Sequence, residues 1–445
     1  MRNQQAVAIE NGRESLLGAT LCNLGDGLIL RTAGTLADVE RIAALGAQVH
    51  SDDQVAAYAR WKLADGHPAI RLSDALFVED LRTGKVVSSL CSFPQTWCYE
   101  GIRLSVREIA LVGTDPGYRK RGLIRAQMHR VHHEMGAAGC LLGCIEGIPG
   151  FYRQFGYEFA VPLGSCAKLK LAQLPADEKD SSGSMTVRPM DLERDLATVM
   201  LLHRQSELEI QAERSEALWR YLEEAPAGGP DRQETWVIES RARVIAYFRL
   251  RQNMWGPWLE LAEMCVESSL GLDDRTVAYE AMLRSARRIA VERNYQGLCF
   301  ALDPRHELLK LVTEMHAEPE RQYAWQVKVV DVVELLKRMA PVLEKRLADS
   351  AYRSSNATLD INLLPDVARI SIEEGRLTGV SWLPGPVRSE CELRVSGHQF
   401  TQLVLGYRDY AALMDLSLEA LVHPQVRELV GVLFPRLRAL VNGAN

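Results

Sequence analysis

SVREIALVGTDPGYRKRGLIRAQMHRVHHEMGAAGCLLGCIEGIPGFYRQFGY, residues 105–157, reads as strand, basic turn, helix, strand and short helix. Val106 to Val112 is apolar and alternating enough for a strand, and Gly113-Thr114-Asp115-Pro116-Gly117 breaks it. From Leu123 a helical stripe of Ile124, Met128, Val131 and Met135 begins, Cys140 to Ile145 reads as the next strand, a short helix carrying Tyr152 follows, and beyond the stretch Phe159 to Leu169 reads as one alternating strand that closes the first domain. Strand and helix are joined by the basic turn Arg119-Lys120-Arg121-Gly122.

The first amides of a helix have no partner inside the helix and lie at the positive end of its macrodipole. An anion placed there meets donors that already point at it. Gly122 lets such an anion approach the backbone, and Arg119, Lys120 and Arg121 surround it with positive charge, which is unfavourable at a helix start without an anion. Neither Gly-x-Gly-x-x-Gly nor a Walker loop ending in Lys-Ser/Thr occurs in the stretch, so the turn is a different kind of phosphate cradle.

The order Arg119-x-x-Gly122-x-Ile124, after a strand ending Val112-Gly113-Thr114 and before Phe151-Tyr152-Arg153-Gln154-Phe155-Gly156-Tyr157, resembles the acetyl-CoA site of the GNAT N-acetyltransferases. The family pattern ends in Gly or Ala where Ile124 stands here. The resemblance implies that the pantetheine arm of acetyl-CoA pairs with the backbone of Val112, Gly113 and Thr114, in the manner of an added strand. It further implies that the pyrophosphate rests on the amides of Lys120, Arg121, Gly122, Leu123, Ile124 and Arg125, beside Arg119, with Ile145 and Glu146 bordering the same cofactor.

At 445 residues the chain exceeds a single core, and about 150 residues per domain suggests three. The second segment repeats the pattern weakly: Met185 to Met190 as a strand, a helix from Leu192, a hairpin over 235–250, a strand over Trp258 to Val266 and a helix over Asp274 to Val291. Where the cradle belongs it has Glu267-Ser-Ser-Leu-Gly-Leu-Asp273-Asp274-Arg275, whose acidic residues would repel a phosphate. The third segment opens with a helix over Val329 to Ala348. An antiparallel meander follows over 357–380, then a strand at Glu392–Val395 and helices over Gln399–Leu405, Asp409–Met414 and Pro424–Leu440.

This three-part order resembles the enhanced intracellular survival branch of that family. It implies an α+β chain: a GNAT fold over residues 1–175, with a splayed mixed sheet flanked by helices, a degenerate GNAT-like unit over 184–330, and a sterol-carrier-like α/β sandwich over 331–445. The resemblance also implies a homo-oligomer, with a hexamer as one form, and aminoglycoside-like polyamines as acceptors.

A net charge of −6 and a pI near 6.0 argue against a nucleic-acid partner and leave room for a cationic substrate. No run approaches the ~20 apolar residues of a membrane span and the N-terminus lacks a signal-peptide core, so a cytoplasmic protein without a membrane partner is expected. Nine scattered cysteines without Cys-x-x-Cys spacing read as reduced, mostly buried side chains. His129, His132 and His133 share a helix without a third ligand at usable spacing, so no metal is expected.

Acetyl transfer to an amine requires a proton for the departing thiolate and a place for the proton the amine loses. Tyr152 stands where the resemblance puts the general acid, and a phenol pKa near 10 keeps it protonated. For the base, the resemblance points to the C-terminal carboxylate, here that of Asn445, although the branch ends on an aromatic residue; Glu108 and water are the alternatives. Trp97, Tyr99, Trp255 and Trp258 are candidates to line an amine pocket or to pack in a core. The leading expectation is an acetyl-CoA-dependent N-acetyltransferase acting on a small primary amine by direct attack. A non-catalytic acyl-CoA or lipid carrier and a protein-lysine acetyltransferase stand beside it.

Overall fold

The computed structural model describes residues 16–176, 185–225, 232–252, 256–385 and 387–442. The chain begins with β1 (Thr20–Gly25), β2 (Leu28–Thr32), α1 (Leu36–His50), α2 (Asp53–Ala64), β3 (Ala75–Asp80), β4 (Lys85–Tyr99), β5 (Ile102–Thr114), α3 (Leu123–Ala137), β6 (Leu142–Ile145) and β7 (Glu158–Leu163). There follow β8 (Ala167–Lys170), β9 (Met185–Pro189), α4 (Leu192–Arg204), β10 (Ile210–Ala212), α5 (Glu216–Glu223), β11 (Glu234–Ser240), β12 (Arg243–Gln252), β13 (Trp258–Val266), α6 (Leu272–Glu292), β14 (Gly297–Phe300), α7 (Glu307–Glu314) and β15 (Glu318–Pro319). The last part holds β16 (Tyr323–Val329), α8 (Val332–Ala348), β17 (Ala357–Asn362), β18 (Val367–Glu373), β19 (Arg376–Leu383), β20 (Glu392–Arg394), α9 (Gly397–Val404), α10 (Tyr410–Leu416), β21 (Leu421–Val422) and α11 (Arg427–Leu433).

Two compact units result, one of residues 1–161 with 325–439 and one of 162–324 with 440–445. In the first, the sheet runs β1-β2-β3-β4-β5-β6-β16-β7. Its pairs from β1 to β5 are antiparallel, and β5 and β6 are parallel because α3 carries the chain across between them. Leu123, Met128, Val131 and Met135 of α3 pack with Ile109 and Ile145 on one face, and α1 packs with Phe77 and Phe93 on the other. With both faces covered, β4 is buried almost throughout, as its apolar residues require.

The same unit holds the sheet β19-β18-β17-β20-β21, beside which lies α8, burying Leu335, Leu336, Met339 and Leu343. This layer joins the first sheet through Tyr99, whose hydroxyl donates to Val404 O at 2.9 Å, and through Arg346, which pairs with Glu100.

The second unit's sheet runs β15-β8-β14-β13-β12-β11-β9, with β13 and β14 parallel across α6. It therefore repeats the order of β3-β4-β5-α3-β6. In the first sheet β16 lies beside β6, and in the second β8 lies beside β14.

Three local expectations are corrected. The strand over Val106–Val112 extends from Ile102 through Gly113 and Thr114, because those two stay paired with Ser89 and Ser88. The alternating run from Phe159 to Leu169 is two strands, since Gly164, at φ +76°, turns the chain between β7 and β8. The last helix ends at Leu433 instead of running to Leu440, because Pro435 disfavours helical geometry at Phe434.

The second unit buries charge. Arg214 pairs with Glu263, Tyr247 Oη donates to Glu263 Oε2 at 3.2 Å, and His203 Nδ1 lies 2.9 Å from Tyr247 Oη. Burial alone would raise the Glu263 carboxyl, but Arg214 outweighs it and holds the group down to about 2. Burial, with Arg214 adding to it, depresses the His203 imidazole to about 4.

Both groups bind protons more readily in the unfolded chain, so stability is lost as pH falls, first below 6.5 through His203 and then below 4.5 through Glu263. Urea midpoints should therefore drop between pH 7 and pH 5, and His203→Gln should lessen that drop, which His67, His132 and His306, also depressed by burial, share; an undiminished drop in the variant would contradict the assignment.

Candidate active site

The parallel pairing of β5 and β6 runs from Val106 opposite Leu142 to Ile109 opposite Ile145 and stops there. β6 ends, while β5 continues through Ala110 to Thr114 on its partner β4. The sheet is thus splayed open on one side of β5. Within that edge Leu111 and Val112 bulge between the pairs Cys91–Ala110 and Ser89–Gly113, with Leu111 at φ +52°. A bulge kinks the strand and re-aims its backbone groups. A non-glycine residue at positive φ is held there by its surroundings at a cost of about 1–3 kcal/mol.

α3 starts beside this opening. Helices α1, α2, α4 and α5 fill their own N-termini with side-chain oxygens of Thr35, Asp52, Asp191 and Ser215. α3 has Gly122 at its N-cap, at φ +75°, which supplies no side-chain cap. Its first amides are therefore left to an outside acceptor. Lys120 also has positive φ, at +64°, so the turn alternates backbone hands as anion-binding nests do. Arg119, Lys120, Arg121 and Arg125 are exposed around it, while Leu123 is buried. Arg119 Nε donates to Thr114 O at 3.3 Å and Arg125 Nη2 to Gln154 Oε1 at 3.1 Å, tying the turn to β5 and to the segment of Tyr152. Ile124, the departure from the pattern, packs against the hydrophobic core, which leaves the cradle to backbone.

Tyr152 opens a 3₁₀ turn, Tyr152–Phe155, and is only 5% exposed. Its ring lies against Gly147, just past β6, where a Cβ would run into Cε2 and Cδ2. Gln326 of β16 holds that backbone by donating to Gly147 O at 2.7 Å. Ile145 is buried opposite Ile109, and Glu146 is exposed at the rim. Val112, Gly113 and Thr114 form the β5 side of the opening, Ile145, Glu146 and Tyr152 the β6 side, and residues 119–125 its end.

Gly147 and Gln326 escaped the sequence reading; Gln326 lies too far along the chain to be placed by pattern. Trp97 and Tyr99 are fully buried, their polar atoms bonded to Gln95 and Val404, so they belong to the core. Trp255 and Asn445 lie outside the described residues. His132 bonds to Tyr157 Oη at 3.1 Å, and no group of three or more potential metal ligands occurs among the described residues.

The second unit closes the equivalent place. Its parallel pair ends at Leu261 opposite Phe300, and the amide of Asn442 donates to Ala262 O at 2.7 Å and Ala301 O at 3.4 Å, the first residues past that end. Arg214 bonds Asn442 O, and Leu440 N donates to Ile210 O at 3.0 Å. α6 begins with Asp273 and Asp274, the wrong sign for a phosphate.

A sheet splayed beside an uncapped helix start is the frame of an acyltransferase domain that takes acyl-CoA as co-substrate, and residues 32–160 match the family profile of the acetyltransferase (GNAT) domain. Solved structures share the fold over 71–94% of the chain. A conserved Enterococcus faecalis V583 protein of unknown function, a probable N-acyltransferase, is 14% identical with a TM-score of 0.71, covering 93% of this chain and 98% of its own. Eis1 from Mycobacterium abscessus is 16% identical with a TM-score of 0.60, covering 94% and 99%. N-myristoyltransferase from Saccharomyces cerevisiae with bound myristoyl-CoA is 12% identical at 0.51, covering 71% and 86%. No curated protein sequence matches the chain significantly. No helix among the described residues is long and apolar enough to cross a membrane.

Gly122→Val puts a β-branched residue at positive φ, a strain of about 1–2 kcal/mol, and blocks the approach to the amides. Acyl-CoA binding, measured by calorimetry, should weaken about 10-fold or more, as expected for lost hydrogen bonds to a charged group. Unchanged affinity would place the pyrophosphate elsewhere.

Proposed function

We propose that the chain is an acetyl-CoA-dependent N-acetyltransferase that acetylates a primary amine of a small polyamine or aminoglycoside-like acceptor by direct attack. The observation that carries this reading is the uncapped start of α3 at the end of an open β5–β6 split with Tyr152 on its other side. Residues 1–175 are the active domain in this reading, 184–330 a degenerate copy and 331–445 a sterol-carrier-like part.

The pyrophosphate lies on the amides of residues 120–125 with Arg119 beside it, and the pantetheine arm pairs with Val112–Thr114 in place of the missing β6. This holds the thioester at the opening and excludes water from it. The amine nitrogen attacks the thioester carbon, the carbon–sulfur bond breaks, and the Tyr152 hydroxyl supplies the proton to the departing thiolate. The proton lost by the amine goes to a carboxylate. Glu108, one position before the split on β5 and opposite Cys144, is suited to take it; the terminal carboxylate of Asn445 is the group named by resemblance.

Thiol release from acetyl-CoA with a panel of polyamines and aminoglycosides tests the reading. Tyr152→Phe should lower kcat about 100-fold or more while leaving acetyl-CoA affinity within about twofold. Tight binding without turnover on any amine would contradict it, and turnover only with peptides carrying lysine would move the acceptor to protein.

A further inference from the structure

Inside the first unit, on the face of the sheet opposite α3, three polar side chains form one directed chain. Trp97 Nε1 donates to Gln95 Oε1 at 2.8 Å, and Gln95 Nε2 donates to Glu108 Oε2 at 2.7 Å. Exposure is 0% at Trp97, 6% at Gln95 and 8% at Glu108. The register explains the meeting: Trp97 lies opposite Leu104, Gln95 opposite Val106 and Phe93 opposite Glu108, so the three side chains share one face of the β4–β5 pair at successive steps.

The direction of the chain follows from the donor inventory. An indole N–H can only donate, so it takes the carbonyl oxygen of Gln95. That turns the amide nitrogen towards Glu108, whose carboxylate accepts. Each member would otherwise be a buried polar group without that partner, which is costly. Apolar side chains would fill the same space without such a risk, yet the chain ends on a carboxylate one position before the split, where Ile109 opposite Ile145 is the last pair.

We infer that Gln95, oriented by Trp97, is a positioning residue that holds the Glu108 carboxylate in one rotamer at the mouth of the β5–β6 split, ready to take the proton released by the amine. This rests on the acyltransferase reading above. A base that must find its geometry at each turnover loses the advantage of being held, so the contribution appears in kcat and not in binding of acyl-CoA, which lies along the α3 start and the β5 edge.

The test uses the full chain and four variants: Gln95→Leu, Gln95→Leu with Trp97→Phe so that no donor is left unpaired, Glu108→Gln, and Gln95→Leu with Glu108→Gln. Thermal melting checks folding, calorimetry gives acetyl-CoA affinity, and thiol release gives kcat. Both Gln95 variants with native Glu108 should lose about 10-fold or more in kcat with acetyl-CoA affinity within about twofold. In the Glu108→Gln background, Gln95→Leu should have no further effect on kcat, because the group it positions is gone. A purely structural Gln95 would lower the melting temperature, leave kcat of the folded protein unchanged and add its effects independently; that outcome overturns the inference while the enzyme reading stands. A parent chain that binds acetyl-CoA but acetylates no amine overturns both.

Discussion

Everything proposed for this chain depends on one interrupted interaction, the parallel ladder between β5 and β6 that ends at Ile109 and Ile145. A strand edge without a partner presents unpaired amides and carbonyls, which a folded protein ordinarily covers. Here β5 runs on to Thr114 with its outer edge open, the bulge at Leu111 and Val112 turns that edge, and the helix that follows begins without a side-chain cap. An extended ligand with amide groups along its arm and a phosphate at its end satisfies edge and helix start together. Neither alone would specify such a ligand.

The second unit repeats the plan with its opening filled. β13 and β14 also part after their parallel pairing, yet Asn442 bridges the first carbonyls past the parting and Arg214, locked to Glu263, holds the backbone of Asn442. The acidic start of α6 agrees with that closure. One plan thus serves twice in the chain, with one opening left free and the other filled by the protein's own residues 440–442.

Much of this was legible in residues 105–157, because a strand, a glycine turn and an amphipathic helix are local patterns, and Arg119 to Arg125 lie consecutively on them. The acidic start of the second copy was legible for the same reason. What escaped were features made by distant pairing. β16 enters beside β6 from the far end of the second copy, so Gln326 could not be seen as the residue that holds Gly147 under Tyr152. Helix α2 was missed because its sequence DQVAAYARWKLA has only a weak apolar stripe and buries Lys62 against aromatic rings. Trp97 and Tyr99 read equally as pocket or core, and only burial decided for core.

The most direct measurement is amide hydrogen exchange with and without acetyl-CoA. The amides of Val112 to Thr114 and Lys120 to Arg125 should become protected on binding, while residues 271–276 at the start of α6 should not change. Protection confined to α6, or none at the start of α3, would contradict the claim that the open split and its uncapped helix are where acyl-CoA is held.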